Sequence, residues 1–121
     1  MLPVFSIIIP TYNRPGQLAD CLAALVQLDY PPDRFEVLVV DDGGAVSPAS
    51  IVDRFQKHLA IKLIRQANAG PGSARNTGAK NAKGQILAFT DDDCLPQPGW
   101  LRMLAMRFLS APDSVFVGGH V

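Results

Sequence analysis

Short apolar, β-branched runs alternate with segments of helical spacing along this chain, and that alternation restricts its fold more than any other property. The runs are Val4-Phe-Ser-Ile-Ile-Ile9, Glu36-Val-Leu-Val-Val40, Ile61-Lys-Leu-Ile64, Ile86-Leu-Ala-Phe89 and Ser114-Val-Phe-Val117. Each is too short for a helix and too continuously apolar for a strand with one wet face, so each predicts a buried strand. Between the first two, Pro15-Gly16 opens a helix whose face is Leu18, Cys21, Leu22, Leu25 and Val26, and it stops before Pro31-Pro32. Pro48 starts a helix through Ile51, Val52 and Phe55. A third helix is predicted from Ser73 to Ala82, ended by Gly84, and a fourth from Pro98 to Leu109. The order β-α-β-α-β-α-β-α-β predicts an α/β fold with an open, mostly parallel sheet and helices on both faces.

The 121 residues suffice for one domain, spanning 1–121, with one core. Lys+Arg equals Asp+Glu, so no bulk field favours nucleic acid or an anionic membrane. No apolar run approaches the roughly 18–20 residues of a membrane span, so no transmembrane segment is expected. The start, Met-Leu-Pro-Val-Phe-Ser, lacks a basic region and enters a strand at once, unlike a signal peptide. Two cysteines, Cys21 and Cys94, make no disulfide framework. A cytoplasmic location is the default expectation.

Three polar clusters follow three of the apolar runs: Thr11-Tyr12-Asn13-Arg14, Asp41-Asp42, and Asp91-Asp92-Asp93. The carboxyl ends of parallel strands share one edge, so these clusters are expected in one crevice. Three adjacent aspartates repel one another, and a hard divalent cation shared with a phosphate offsets that repulsion. A solvated acidic loop is the plain alternative. Tyr12 offers a flat face for stacking on a nucleobase, or else plugs the sheet edge. Asp41 and Asp42 can accept hydrogen bonds from ribose hydroxyls or a base N–H, although Asp-Asp-Gly is also an ordinary turn. Gly70-Pro-Gly-Ser73 opens a helix without the ending of a P-loop, and it follows the third strand, not the first. Arg75, one turn into that helix, can donate to nucleotide oxygens, and a buried Asn76 can tie the loop down. No Ser-His-Asp order, Cys-x-x-Cys pair or His-x-x-x-His spacing supports a hydrolytic triad or a zinc site.

Four segments taken together resemble the N-terminal half of family-2 glycosyltransferases of the GT-A fold. They are Ser6-Ile-Ile-Ile-Pro-Thr-Tyr-Asn-Arg14, Glu36-Val-Leu-Val-Val-Asp-Asp-Gly43, Gly70-Pro-Gly-Ser-Ala-Arg-Asn76 and Ala88-Phe-Thr-Asp-Asp-Asp93. The resemblance implies an inverting, metal-dependent enzyme with a Rossmann-like half that binds a nucleotide-diphosphate sugar, commonly a UDP-sugar. By position, Thr11 and Tyr12 match the contact to the donor's base, Asp42 with Asp41 the acidic reader of base or ribose, and Arg75 the arginine that approaches the nucleotide. Asp91-Asp92-Asp93 matches the Asp-X-Asp motif. Asp93 would hold Mg²⁺ or Mn²⁺, and Asp91 and Asp92 would meet sugar or ribose hydroxyls. Gly44 and Ala45 depart from the family, which usually carries Ser after Asp-Asp-Gly, so a capping hydroxyl is lost.

The carboxylate that deprotonates the acceptor hydroxyl lies in the family beyond the point matching Val121, and no residue here matches it. The acceptor half is therefore expected to be missing, leaving donor binding and at most slow donor hydrolysis. Val115, Phe116 and Val117 would then border an uncovered sheet edge, and a homodimer through it is expected. A sugar-nucleotide nucleotidyltransferase would carry a Gly-rich, basic loop after the first strand, where Pro10-Thr-Tyr-Asn-Arg-Pro15 stands. A receiver-type signalling module would carry its acidic pair after the first strand and an acceptor aspartate after the third, where Arg65-Gln66 stands. A fragment that binds a nucleotide and catalyses nothing is the third alternative.

Overall fold

Ile7, Ile8 and Ile9 have no exposed surface on either side of the backbone, so the first apolar run becomes a strand covered on both faces. It is β1 (Phe5–Thr11), running two residues further than its apolar stretch. The computed structural model describes residues 2–110, and the expected strand at 114–117, the dimer edge it would form and His120 lie outside them. The other strands are β2 (Phe35–Asp41), β3 (Ile61–Arg65) and β4 (Ile86–Phe89). Their order is β3-β2-β1-β4, and every pairing is parallel. In register, Thr11 lies beside Asp41 and Asp41 beside Arg65, while Ile8 lies beside Phe89, one residue short of the acidic run.

The helices are α1 (Pro15–Val26), α2 (Ala49–Phe55), α3 (Pro71–Asn81) and α4 (Trp100–Ser110). Alternation along each strand sends side chains to opposite faces. On one face Phe5, Ile7, Ile9, Val37 and Val39 join a core completed by α1, α2 and α4, with Leu22 and Leu101 wholly buried. Each such side chain stabilises the fold by roughly 1.5–3 kcal/mol. On the other face α3 packs against β1 and β2. It lies so close that a Cβ on Gly78 would meet Ile8 Cγ2 at 2.5 Å. The sheet is therefore covered on both faces, as its continuous apolar strands require.

α3 begins at Pro71, two residues before its expected start, because proline fits the first helical turn, where its missing N–H costs no hydrogen bond. α4 begins at Trp100 and ends at Ser110, close to expectation. No helix among the described residues is long and apolar enough to cross a membrane.

Candidate active site

The carboxyl ends of β1, β2 and β4 open onto a cleft of about 540 Å³. Thr11, Tyr12, Asp42, Arg75, Asp91, Asp92 and Asp93 all line it, joined by Arg14, Asn68 and Gly70. Asp41 does not: it is 1% exposed and sits behind Asp42. Tyr12 is 49% exposed, so it stands at the mouth as an open aromatic face and does not plug the sheet edge.

The acidic pair after β2 is wholly committed to holding loops. Asp41 Oδ2 accepts from Arg65 Nε at 2.8 Å, and its Oδ1 accepts from the Gly44 amide at 3.2 Å. Asp42 Oδ1 accepts from Gln66 Nε2 and the Ala69 amide, each at 2.8 Å. Its Oδ2 accepts from the Gly70 amide at 2.9 Å and from Asn68 Nδ2 at 3.4 Å. The Gln66 bond, then those from Ala69 and Gly70, hold the Asp42 carboxyl below its ordinary value, against the opposing effect of burial. The geometry also needs Gly43, whose φ is +76° and where a Cβ would lie 2.6 Å from the Asn68 amide nitrogen.

Two sequence expectations change here. Asn76 is exposed, and the glycine loop is tied down by Gln66 and Asn68 acting on Asp42. The residue at 44 lacks the usual hydroxyl, yet the loop is still held. Asn13 Oδ1 accepts the Ala45 amide at 2.7 Å, and Arg65 Nη2 donates to the Gly44 carbonyl at 3.1 Å. A Cβ at Gly44 would crowd Asn13 Oδ1 at 2.9 Å and Asp41 Oδ1 at 3.0 Å, so a serine here would require those side-chain oxygens to shift. Asn13 itself adopts φ 53°, a left-handed conformation that asparagine tolerates better than most residues.

The run after β4 is held more loosely. Asp92 is buried, and Thr11 Oγ1 donates to it at 2.9 Å, joining the ends of β1 and β4. Burial is the main influence on its carboxyl and raises it, opposed by the Thr11 bond and by Arg14. Arg14 Nη1 lies 3.3 Å from Asp92 and 3.7 Å from Asp93, and Arg75 Nη2 lies 3.5 Å from Asp91. Asp91, Asp93 and Cys94 each bring one ligand atom within 4.8 Å of the others. Two carboxylates at one point suit a hard divalent cation that fills its remaining positions with water or phosphate oxygens. Among the described residues, the cleft lining carries four carboxylates and two guanidinium groups, an excess of negative charge equal to one divalent cation. Beneath the run, Cys21 is wholly buried with its thiol 3.7 Å from the Asp91 carbonyl, and burial pushes that thiol up to about 12. It is a packing residue.

Arg14, Gln66 and Asn68 are the site residues that sequence reasoning passed over. Arg14 closed the Thr-Tyr-Asn-Arg cluster and Gln66 followed the third strand, but neither has a neighbour in sequence that reveals its carboxylate partner.

The family model for glycosyl transferase family 2 matches residues 6–121. The chain belongs to glycosyl transferase family 2. Its relatives include the glycosyltransferase AglE of Haloferax volcanii, 39% identical over 99% of this chain and 40% of that protein. Among solved structures, Staphylococcus aureus TarS 1-349 in complex with UDP-GlcNAc superposes with a TM-score of 0.83 at 32% identity, covering 90% of this chain and 32% of that one. The mannosyltransferase PcManGT of Pyrobaculum calidifontis, in complex with GDP-Man and Mn²⁺, matches at a TM-score of 0.76 and 33% identity, over 84% of this chain and 31% of that one. The family-2 chain thus spans 40% of the length of AglE and 31–32% of the two solved chains, and only 16% of the whole TarS protein. Its fold is the N-terminal part of the GT-A architecture, and membership sets aside the nucleotidyltransferase and receiver alternatives.

Proposed function

We propose that this chain is the donor-binding domain of an inverting glycosyltransferase that takes a nucleotide-diphosphate sugar, a UDP-sugar, with Mg²⁺ or Mn²⁺. The observation that carries this reading is the convergence, in one cleft, of the open Tyr12 ring, Arg75 and the Asp91–Asp93 carboxylates. Tyr12 would stack on the base, and Arg75 would meet the phosphates. Asp93, with Asp91, would hold the cation, and Asp91 and Asp92 would lie towards the sugar. The bound cation would stabilise the negative charge that gathers on the leaving diphosphate.

Asp42 is assigned a changed part in this reading. Both its oxygens already accept two donors each, so it shapes the wall on which the base and ribose rest. The general base would come from an acceptor half outside these 121 residues, leaving this domain alone to bind donor and at most hydrolyse it slowly.

Titration calorimetry with UDP, GDP and CDP, each with Mn²⁺, tests the donor. UDP should bind most tightly, and equal or tighter GDP binding would overturn the base assignment. Replacing Tyr12 by Ala should weaken UDP by roughly tenfold with or without metal, the scale of one lost base stack.

A further inference from the structure

Arg14 closes the loop between β1 and α1, and its side chain is 51% exposed. A single nitrogen, Nη1, faces both Asp92 Oδ1 at 3.3 Å and Asp93 Oδ2 at 3.7 Å. We propose that Arg14 is a built-in counter-ion, displaced from the acidic run when the divalent cation arrives and then free to hold the diphosphate. This rests on the metal–diphosphate reading above and deepens it.

Three observations support the exchange. Asp93 belongs at once to the donor set formed with Asp91 and Cys94 and to the Arg14 pair. A guanidinium and a divalent cation that share one carboxylate repel each other, so the cation's arrival weakens the Arg14 contact. The Arg14–Asp93 contact is also long and exposed on both sides, the kind of pair that costs little to open, whereas the Arg65–Asp41 pair closes to 2.8 Å on a buried carboxylate. Lastly, the cleft has two guanidinium groups, and a diphosphate presents oxygens that match their planar donors. Once the cation has neutralised Asp93, Arg14 lies in the lining with its charge released towards the incoming phosphate. The cleft thereby keeps its acidic run neutralised before metal and donor are present, and recruits the same cation afterwards.

The exchange predicts opposite effects of one substitution on two ligands. Binding of Mn²⁺ alone to the full chain, followed by electron paramagnetic resonance of the free ion, is compared between the native chain, Arg14→Gln and Arg14→Lys. Binding of UDP is then measured by calorimetry at saturating Mn²⁺. Arg14→Gln should tighten Mn²⁺ alone by roughly fivefold, the upper end for an exposed ion pair. It should weaken UDP at saturating Mn²⁺ by about tenfold, as expected for a lost charge-assisted hydrogen bond. Arg14→Lys should leave Mn²⁺ affinity as in the native chain and restore only part of the UDP affinity. A misfolded variant would weaken both ligands, so the divergence itself reports the exchange. Unchanged Mn²⁺ binding by Arg14→Gln, or weaker binding by a variant that keeps the native melting temperature, would overturn the exchange alone when the native chain binds Mn²⁺. Failure of Mn²⁺ to bind any of the chains, with or without UDP, would remove the metal reading and the exchange together.

Discussion

Asp41-Asp42 and Asp91-Asp92-Asp93 leave the same edge of the sheet, from strands that both pair with β1, yet they are surrounded differently. The pair after β2 is buried and receives backbone amides, an amide side chain and a guanidinium at 2.8–3.2 Å. The run after β4 has one buried member, Asp92, while Asp93 is exposed and meets its cation at 3.7 Å. Runs of aspartate therefore divide by the donors that reach them. A carboxylate saturated by fixed amides is part of the scaffold, and an exposed one met only by a long guanidinium contact can exchange its partner for a metal or a ligand.

Substitution of Asp42 is the most severe way to test that division. Asp42→Ala leaves the Ala69 and Gly70 amides and the Gln66 side chain without their shared acceptor, while Asn68 keeps its bond to the residue-42 carbonyl, so the glycine loop loses most of its anchor. Thermal unfolding should move down by several degrees, and calorimetry should show UDP binding weakened by about a hundredfold through loss of the ordered wall. A native melting temperature would mean that the three donors find water at no cost, and the scaffold reading would fall.

Asp93→Ala should do the reverse. Its carboxylate is exposed, and its removal relieves repulsion with Asp91 and Asp92, so the melting temperature should stay level or rise slightly. The increment in UDP affinity that Mn²⁺ provides should vanish, while UDP binding without metal stays near native. A variant that keeps its Mn²⁺ increment would show that the metal rests on other atoms.

The smallest expected effect concerns pH. The folded Asp42 carboxyl lies below its ordinary value, so its contribution is present above the unfolded value and is lost as pH falls through the folded one. In chemical denaturation below about pH 4, Asp42→Asn should therefore show a shallower loss of stability on acidification than the native chain. An unchanged slope would indicate that Asp42 gains nothing from its donors in the folded state.

The strands were legible because burial on both faces demands continuous apolar runs, and Ile7–Ile9 and Val37–Val40 meet that demand with hardly an exception. Convergence of the polar clusters followed from parallel pairing alone. The partners of the acidic residues were not legible, because they are separated from them by 24 to 28 residues for Asp42 and by 78 for Asp92 with Arg14. Local spacing carries no record of such pairs. Asn76 illustrates the limit: it lies one residue past Arg75 in the glycine-loop segment, yet helix geometry turns it outward, and Asn68, at the other end of the same segment, makes the bonds.

The hold of Asp42 on the Ala69 and Gly70 amides links points 27 and 28 residues apart across the chain. Between them lie all of α2 and β3, so the loop cannot release those amides without detaching from the end of β2. Ala69 is exposed by surface area, and a loop of that kind ordinarily opens at almost no cost. Here two of its amide hydrogens are bonded to a buried carboxylate, so they should pass to deuterated solvent more slowly than those of a free loop, giving the wall of the cleft a persistence that its exposed surface does not suggest.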